Sequence, residues 1–105
     1  MPSYKLEPTV AVEVRNPKAA GRFYTEILGM LETGKSDEGG SFKKDGVTLF
    51  VMNSPEGNVW LRLLTDDLDG AKKQLSENGC KISPVPDGCL VVDPYGTKFY
   101  LTGGK

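Results

Sequence analysis

The residue types available to do chemistry in this chain are few, and one absence narrows them sharply. The 105 residues include no histidine. That removes Ser-His-Asp triads, Cys-His nucleophiles, HExxH metal sites and the commonest general base together. Any chemistry must run on carboxylates, lysine, tyrosine or cysteine. The two cysteines, Cys80 and Cys89, form no CxxC pair and, with no histidine, do not spell a zinc site. They flank Pro84-Val85 symmetrically, so a hairpin there would let them face each other. Cytosolic thiols stay reduced, which favours two half-buried free thiols over a disulfide. The stretch Gly34–Gly40 follows no Walker pattern and opens no helix, so it reads as a mobile hairpin loop and not as a phosphate cradle. Gly103-Gly104 reads as a frayed tail.

The background composition is that of an ordinary globular domain, with 38% hydrophobic and 26% charged residues. A net charge of −1 with interspersed signs leaves no basic stripe, so neither nucleic acid nor a membrane surface is an expected partner. The opening Met-Pro-Ser-Tyr-Lys-Leu-Glu-Pro lacks the apolar core of a signal peptide, and Leu49–Met52 is too short an apolar run to span a bilayer. A soluble, cytoplasmic protein is expected.

The elements that must position any site come as two similar halves, related by a shift of 51 residues. Val10, Val12 and Val14 alternate as in a half-buried strand. Asn16-Pro17 then supplies an N-cap and a first-turn proline. Ala20, Phe23, Tyr24, Ile27 and Leu28 follow at helical spacing and end at Gly29. Three strands are predicted next, at Met30–Thr33, Ser41–Lys44 and Val47–Met52, the last two joined by an Asp45-Gly46 hairpin turn. The order then recurs: strand Trp60–Leu64, a helix capped by Asp67 and carrying Leu68, Ala71 and Leu75, Gly79, then strands at Lys81–Ser83, Cys89–Val92 and Lys98–Thr102. Asn16 pairs with Asp67, Ala20 with Ala71, Tyr24 with Leu75 and Leu49 with Tyr100. The second helix is one residue shorter, since Gly29 pairs with Gly79. The expected fold is α+β, a single domain over 1–105 made of two tandem βαβββ units, about 8–53 and 58–102. A ferredoxin-like sandwich would need βαββαβ, whereas each helix here is followed by three candidate strands.

Three motifs carry a family resemblance. Phe23-Tyr24-Thr25-Glu26-Ile27-Leu28-Gly29-Met30 resembles the FYxxxLGM helix end of the vicinal oxygen chelate superfamily, the group of glyoxalases, bleomycin-resistance proteins and ring-cleaving dioxygenases. Asp66-Asp67-Leu68-Asp69 resembles the DDLD that opens its second helix, and Val92-Asp93-Pro94-Tyr95-Gly96 its closing DPxG turn. The resemblance implies curled mixed sheets with helices outside and a cleft formed by the paired units. It also implies one metal-ligand position on the first and last strand of each unit. By position these fall at Thr9, Leu49, Trp60 and Tyr100, where metal-dependent members carry His or Gln, Glu, His and Glu. An alcohol, an alkyl group, an indole and a phenol make a poor set for a hard cation, so no metal and no cofactor are expected.

Strand alternation extends the candidate site, because residues two apart share a face. Thr9 brings Ala11 and Glu13, Leu49 brings Val51, and Trp60 brings Arg62. The ligand-binding set is therefore Thr9, Ala11, Glu13, Leu49, Val51, Trp60, Arg62 and Tyr100, with Val10, Val12, Val14, Phe50, Met52, Leu61, Leu63, Phe99 and Leu101 assigned to the helix-packed core. Trp60 and Tyr100 would stack on a planar ligand, or simply fill the space of a lost metal or pack at a subunit contact. Glu13 and Arg62 would orient a polar group, or neutralise each other. No catalytic residue is assigned. Three functions stay open: a metal-free protein that sequesters a small, partly aromatic drug or metabolite; a lyase, isomerase or other superfamily enzyme using Glu13 or Tyr100 as acid/base in the same cleft; and a structural or regulatory dimer with a vestigial cleft. A homodimer is expected, since pairing would cover open strand edges.

Overall fold

The computed structural model describes residues 2–36 and 39–104. It divides into two compact units, one spanning Pro8–Val59 and the other combining Trp60 onward with the leading segment that ends at Glu7. No helix among the described residues is long and apolar enough to cross a membrane.

In the first half, β1 (Tyr4–Val14) leads into α1 (Pro17–Arg22), and then into β2 (Leu31–Ser36), β3 (Gly39–Lys44) and β4 (Val47–Asn53). The local chemistry explains each boundary. The Asn16 side chain accepts from the Ala19 N–H at 3.1 Å, capping α1, with Pro17 at its first position. Asp45 (φ 54) and Gly46 (φ 83) both take positive φ in the two-residue turn between β3 and β4, the pair of angles that matches the twist of a hairpin. The strands order as β2-β3-β4-β1, with β1 and β4 parallel and the other pairs antiparallel. The β2–β3 hairpin reaches Ser36 opposite Gly39. The predicted loop at Gly34–Gly40 is thus mostly paired strand, and its positions 37 and 38 lie outside the described residues.

The predicted first helix is not one regular α-helix. Past Arg22 the chain widens over Phe23–Ile27, where the Leu28 N–H reaches back five residues to the Phe23 carbonyl and the Met30 N–H six residues to that of Tyr24. Between its cap and its terminating glycine this segment holds one residue more than the second helix. A wide turn is the usual way to take up an inserted residue without breaking the helix. The Thr25 hydroxyl donates to the Gly21 carbonyl at 3.0 Å, alongside the widened turn. α1 lies close on the sheet because Gly21 has no side chain: a Cβ there would sit 3.0 Å from the ring of buried Phe42.

The second half has β5 (Val59–Thr65), α2 (Leu68–Glu77), β6 (Lys81–Val85), β7 (Gly88–Val92) and β8 (Lys98–Gly103). Its strands order as β6-β7-β8-β5, again with only the first and last in sequence, β5 and β8, parallel. Three strands follow each helix, so each half is a βαβββ unit. Asp67 caps α2 by accepting from the Gly70 N–H at 3.0 Å. Asp93 accepts from the N–H groups of Tyr95 and Thr97, which closes the turn before β8. Ala71 on α2 packs with Cys89, Val91 and Leu101 in a fully buried cluster, flanked by Leu63, Leu68, Leu75, Ile82 and Phe99. Gly103 belongs to β8 and not to a frayed tail. Cys89 is buried and pairs across the hairpin with Pro84, not with Cys80, and both thiols are free.

Candidate functional site

Ladder register decides which side chains share a face, because directly paired residues point the same way. In the second half Arg62 pairs with Tyr100, Tyr100 with Leu90, and Leu90 with Ser83. That row, together with Leu64, Lys98 and Thr102, lies on the side of the sheet away from α2. Trp60 joins it by alternation along β5. Leu61, Leu63, Phe99 and Leu101 lie on the helix side, as predicted.

In the first half the predicted faces are half wrong. Val10 pairs with Leu49 and Val12 with Val51, while Ala11 pairs with Phe50 and Glu13 with Met52. Phe42, whose ring meets Tyr24 with centroids 5.7 Å apart and lies under Gly21, pairs with Leu49. Leu49 and Val51 therefore point toward α1 as core, with Val51 only 4% exposed. The side chains that share the outward face with Thr9, Ala11 and Glu13 are Thr48, Phe50 and Met52. Phe50 and Met52 are 42% and 40% exposed, where core residues were expected. The cause is the residue absorbed in the wide turn. Before it the halves are offset by 51 positions, and after it by 50, so the register counterpart of Tyr100 is Phe50 and not Leu49. The signal was available in the sequence: Gly29 matches Gly79 and Gly46 matches Gly96 at the shorter offset.

On the second-half face the Arg62 guanidinium carbon lies 5.6 Å from the centroid of the Tyr100 ring, a cation–π approach. One Arg62 Nη donates to the Thr102 hydroxyl at 3.3 Å, while its Nε is buried with no hydrogen-bond partner. The Tyr100 hydroxyl donates to Asp87 Oδ1 at 2.5 Å. Burial, then the hydrogen bond and charge of Asp87, push the Tyr100 phenol above its ordinary value, and the Arg62 cation opposes them only in part. Trp60 is 7% exposed and Thr102 5%.

On the first-half face Thr9 and Ala11 are half-buried and carry no titratable group. Glu13 accepts from the Asn58 N–H at 3.1 Å and from the Ser54 hydroxyl at 3.4 Å, so its carboxylate ties down the 53–58 linker. The structure thus brings Arg62 and Tyr100 together and shows Glu13 in a structural role.

The positions where this kind of fold would carry a metal were tested on the same geometry. After the offset correction they hold Thr9, Phe50, Trp60 and Tyr100, and the Tyr100 hydroxyl is already engaged by Asp87. Among the described residues no three Cys, Asp or Glu side chains gather as a potential metal site. These residues do not fit a divalent ion.

Two concavities escaped the sequence reading, each within one of the two compact units. In the first, Lys18, Arg22, Thr25, Glu32, Lys35 and Phe42 help line a cleft of about 590 Å³. In the second, Tyr4, Leu63, Leu75, Cys80, Val91 and Phe99 help line an apolar recess of about 240 Å³. Neither includes Arg62 or Tyr100. Burial pushes the Cys80 thiol up, with the charge of Asp93 adding to it, which makes that thiol a weak nucleophile.

No protein-family model and no curated protein matches this sequence. Solved structures do. A NAD-dependent benzaldehyde dehydrogenase from Legionella pneumophila superposes with a TM-score of 0.71 at 21% identity, over 92% of this chain and 98% of that one. A glyoxalase/bleomycin resistance protein/dioxygenase superfamily member from Vibrio splendidus 12B01 gives 0.66 at 14% identity, over 97% and 100%. A Mn(II)-bound glyoxalase from Novosphingobium aromaticivorans gives 0.71 at 19% identity, over 98% of this chain but 40% of its own length. The chain therefore has the α+β fold of the glyoxalase/bleomycin resistance/dioxygenase superfamily, the vicinal oxygen chelate fold that its helix-end and turn motifs resemble.

Proposed function

We propose that the protein binds a small, partly aromatic molecule on the outward face of the β5–β8 sheet without a metal, as a sequestering protein of the glyoxalase/bleomycin-resistance kind. The observation that carries this reading is the Arg62–Tyr100 stack, a cation and an aromatic ring side by side on a face that also holds Trp60, Leu64 and Leu90. Apolar walls with a few orienting polar groups are the usual make-up of a small-molecule site. An enzymatic reading is weaker because neither candidate acid/base is free to act. Tyr100 is held by Asp87 with its phenol pushed up, and Glu13 is spent on Asn58 and Ser54. The donor set at the family's metal positions argues against a metal-assisted reaction.

Trp60 is the single tryptophan, so its fluorescence reports on this face without ambiguity. Titration with a panel of planar compounds is expected to shift or quench the emission saturably. Tyr100→Ala is expected to weaken binding by about 1–3 kcal/mol, the range for losing a stacking partner and its buried area, with Trp60, only 7% exposed, serving as the reporter. No spectral response across the panel would count against the reading.

A further inference from the structure

We infer that the ligand is an aromatic carboxylate whose anionic group is bound by Arg62, an inference that rests on the binding reading above and names its ligand class. The first ground is charge. On the outward side of β5–β8 the strands present Lys81, Lys98 and Arg62 and no acidic residue. A carboxylate drawn to this face, Asp87 from the β6–β7 turn, is held by the Tyr100 hydroxyl. A half-buried guanidinium whose hydrogen-bond partner is a neutral threonine is under-compensated, since burying a cation is costly unless an anion meets it.

The second ground is the Arg62 Nε, buried and without an acceptor. A guanidinium offers its donors in a planar fork that matches a carboxylate edge, two parallel bonds at once. The resting position leaves one prong unused, so a carboxylate that turned the fork outward would gain a bidentate contact in exchange for the 3.3 Å bond to Thr102 and part of the contact with the Tyr100 ring. The third ground is shape. Tyr100 sits between Arg62 and Leu90 across the sheet, and the guanidinium plane, the phenol ring and the two leucines, Leu64 and Leu90, make a surface for a flat ring beside the anion site. Arg62 is on this account the residue that sets specificity, and Tyr100 the one that supports the ring.

Calorimetric titration of the intact chain with 2-naphthoate, 2-naphthamide and trans-decalin-2-carboxylate separates the parts of the inference. The naphthoate is expected to bind about tenfold or more tightly than the amide, the scale for a charge-assisted hydrogen-bond pair. It should also move the Arg62 Nε–Hε resonance in ¹H–¹⁵N spectra. In Arg62→Met the ratio of acid to amide affinity should fall below about twofold, whatever the loss in overall affinity, and Arg62→Lys should keep an intermediate preference. Should Arg62→Met fail to fold, the acid-to-amide ratio of the native protein and the Lys variant still decide. Amide binding as tight as acid binding overturns the anion inference and leaves the binding reading intact. Equal binding of the saturated carboxylate overturns the aromatic part. No heat or shift from any of the three compounds removes this face as a binding site, and the inference with it.

Discussion

The two halves share one order of elements but have spent it differently. In the second half the helix-facing side has a sealed centre, with Ala71, Cys89, Val91 and Leu101 all essentially inaccessible, and the outward side carries the cation, the phenol and the buried indole. In the first half a shorter α1 and a wide turn sit over Phe42 and Val51, while the outward side shows exposed Phe50 and Met52 and, at its far end, the exposed Lys43. A repeated βαβββ frame therefore does not imply a repeated site. What each half offers is set by which residues its register turns outward, and the second half turns out an arginine beside a tyrosine ring.

The largest expected effect sharpens the packing side of that contrast. Leu101→Ala removes a fully buried side chain and is expected to cost about 2–5 kcal/mol, against under about 1 kcal/mol for Phe50→Ala on the outward face of the other half. Urea denaturation of both variants checks it, and similar losses would mean that the two faces are not distinct. A second experiment breaks the contrast at its most surprising point. Val51→Ala is expected to cost about 1–3 kcal/mol as a core truncation, and to leave the Trp60 fluorescence response to planar compounds unchanged. If Val51→Ala instead weakened binding at native stability, the register-based faces would be reversed.

Smaller effects follow at the helix starts. Asn16→Ala and Asp67→Ala each remove an N-cap acceptor and are expected to cost about 1 kcal/mol apiece by thermal or urea unfolding. The Asp67 loss should be the greater, because the carboxylate adds a charge at the positive end of the helix dipole. The smallest effect is one of pH. Tyr4 and Tyr100 both have phenols raised above 10.0 in the folded chain, chiefly by burial. The folded state thus holds these protons more tightly than the unfolded state. Their contribution is complete below pH 10 and is lost as the pH climbs through the folded values. Denaturation midpoints should fall above that point, and less steeply in Tyr100→Phe. An unchanged slope in Tyr100→Phe would show that the Tyr100 phenol is not raised in the folded chain.

Much of this was legible in the linear chain. Local signals carry their physics within a few residues: Asn16-Pro17 and Asp67 start helices, Gly29 and Gly79 end them with positive φ, and Asp45-Gly46 forces a tight turn. Those signals, repeated in order, were enough to specify two βαβββ units and the outward position of Arg62 and Tyr100. The absence of histidine likewise restricted the chemistry before any coordinates existed. Facing in the first half was not decided locally. Side chains alternate with a period of two, so a single residue counted in the wrong place exchanges core for surface along a whole strand. Whether the extra residue near Phe23 would be spent as a wide turn depended on how α1 packs over Phe42, and that sent Leu49 and Val51 inward and Phe50 and Met52 outward. The roles of Glu13 and Asp87 were equally out of reach, because hydrogen bonds between residues 45 positions apart, as from Asn58 to Glu13, exist only once strands and turns have brought them together.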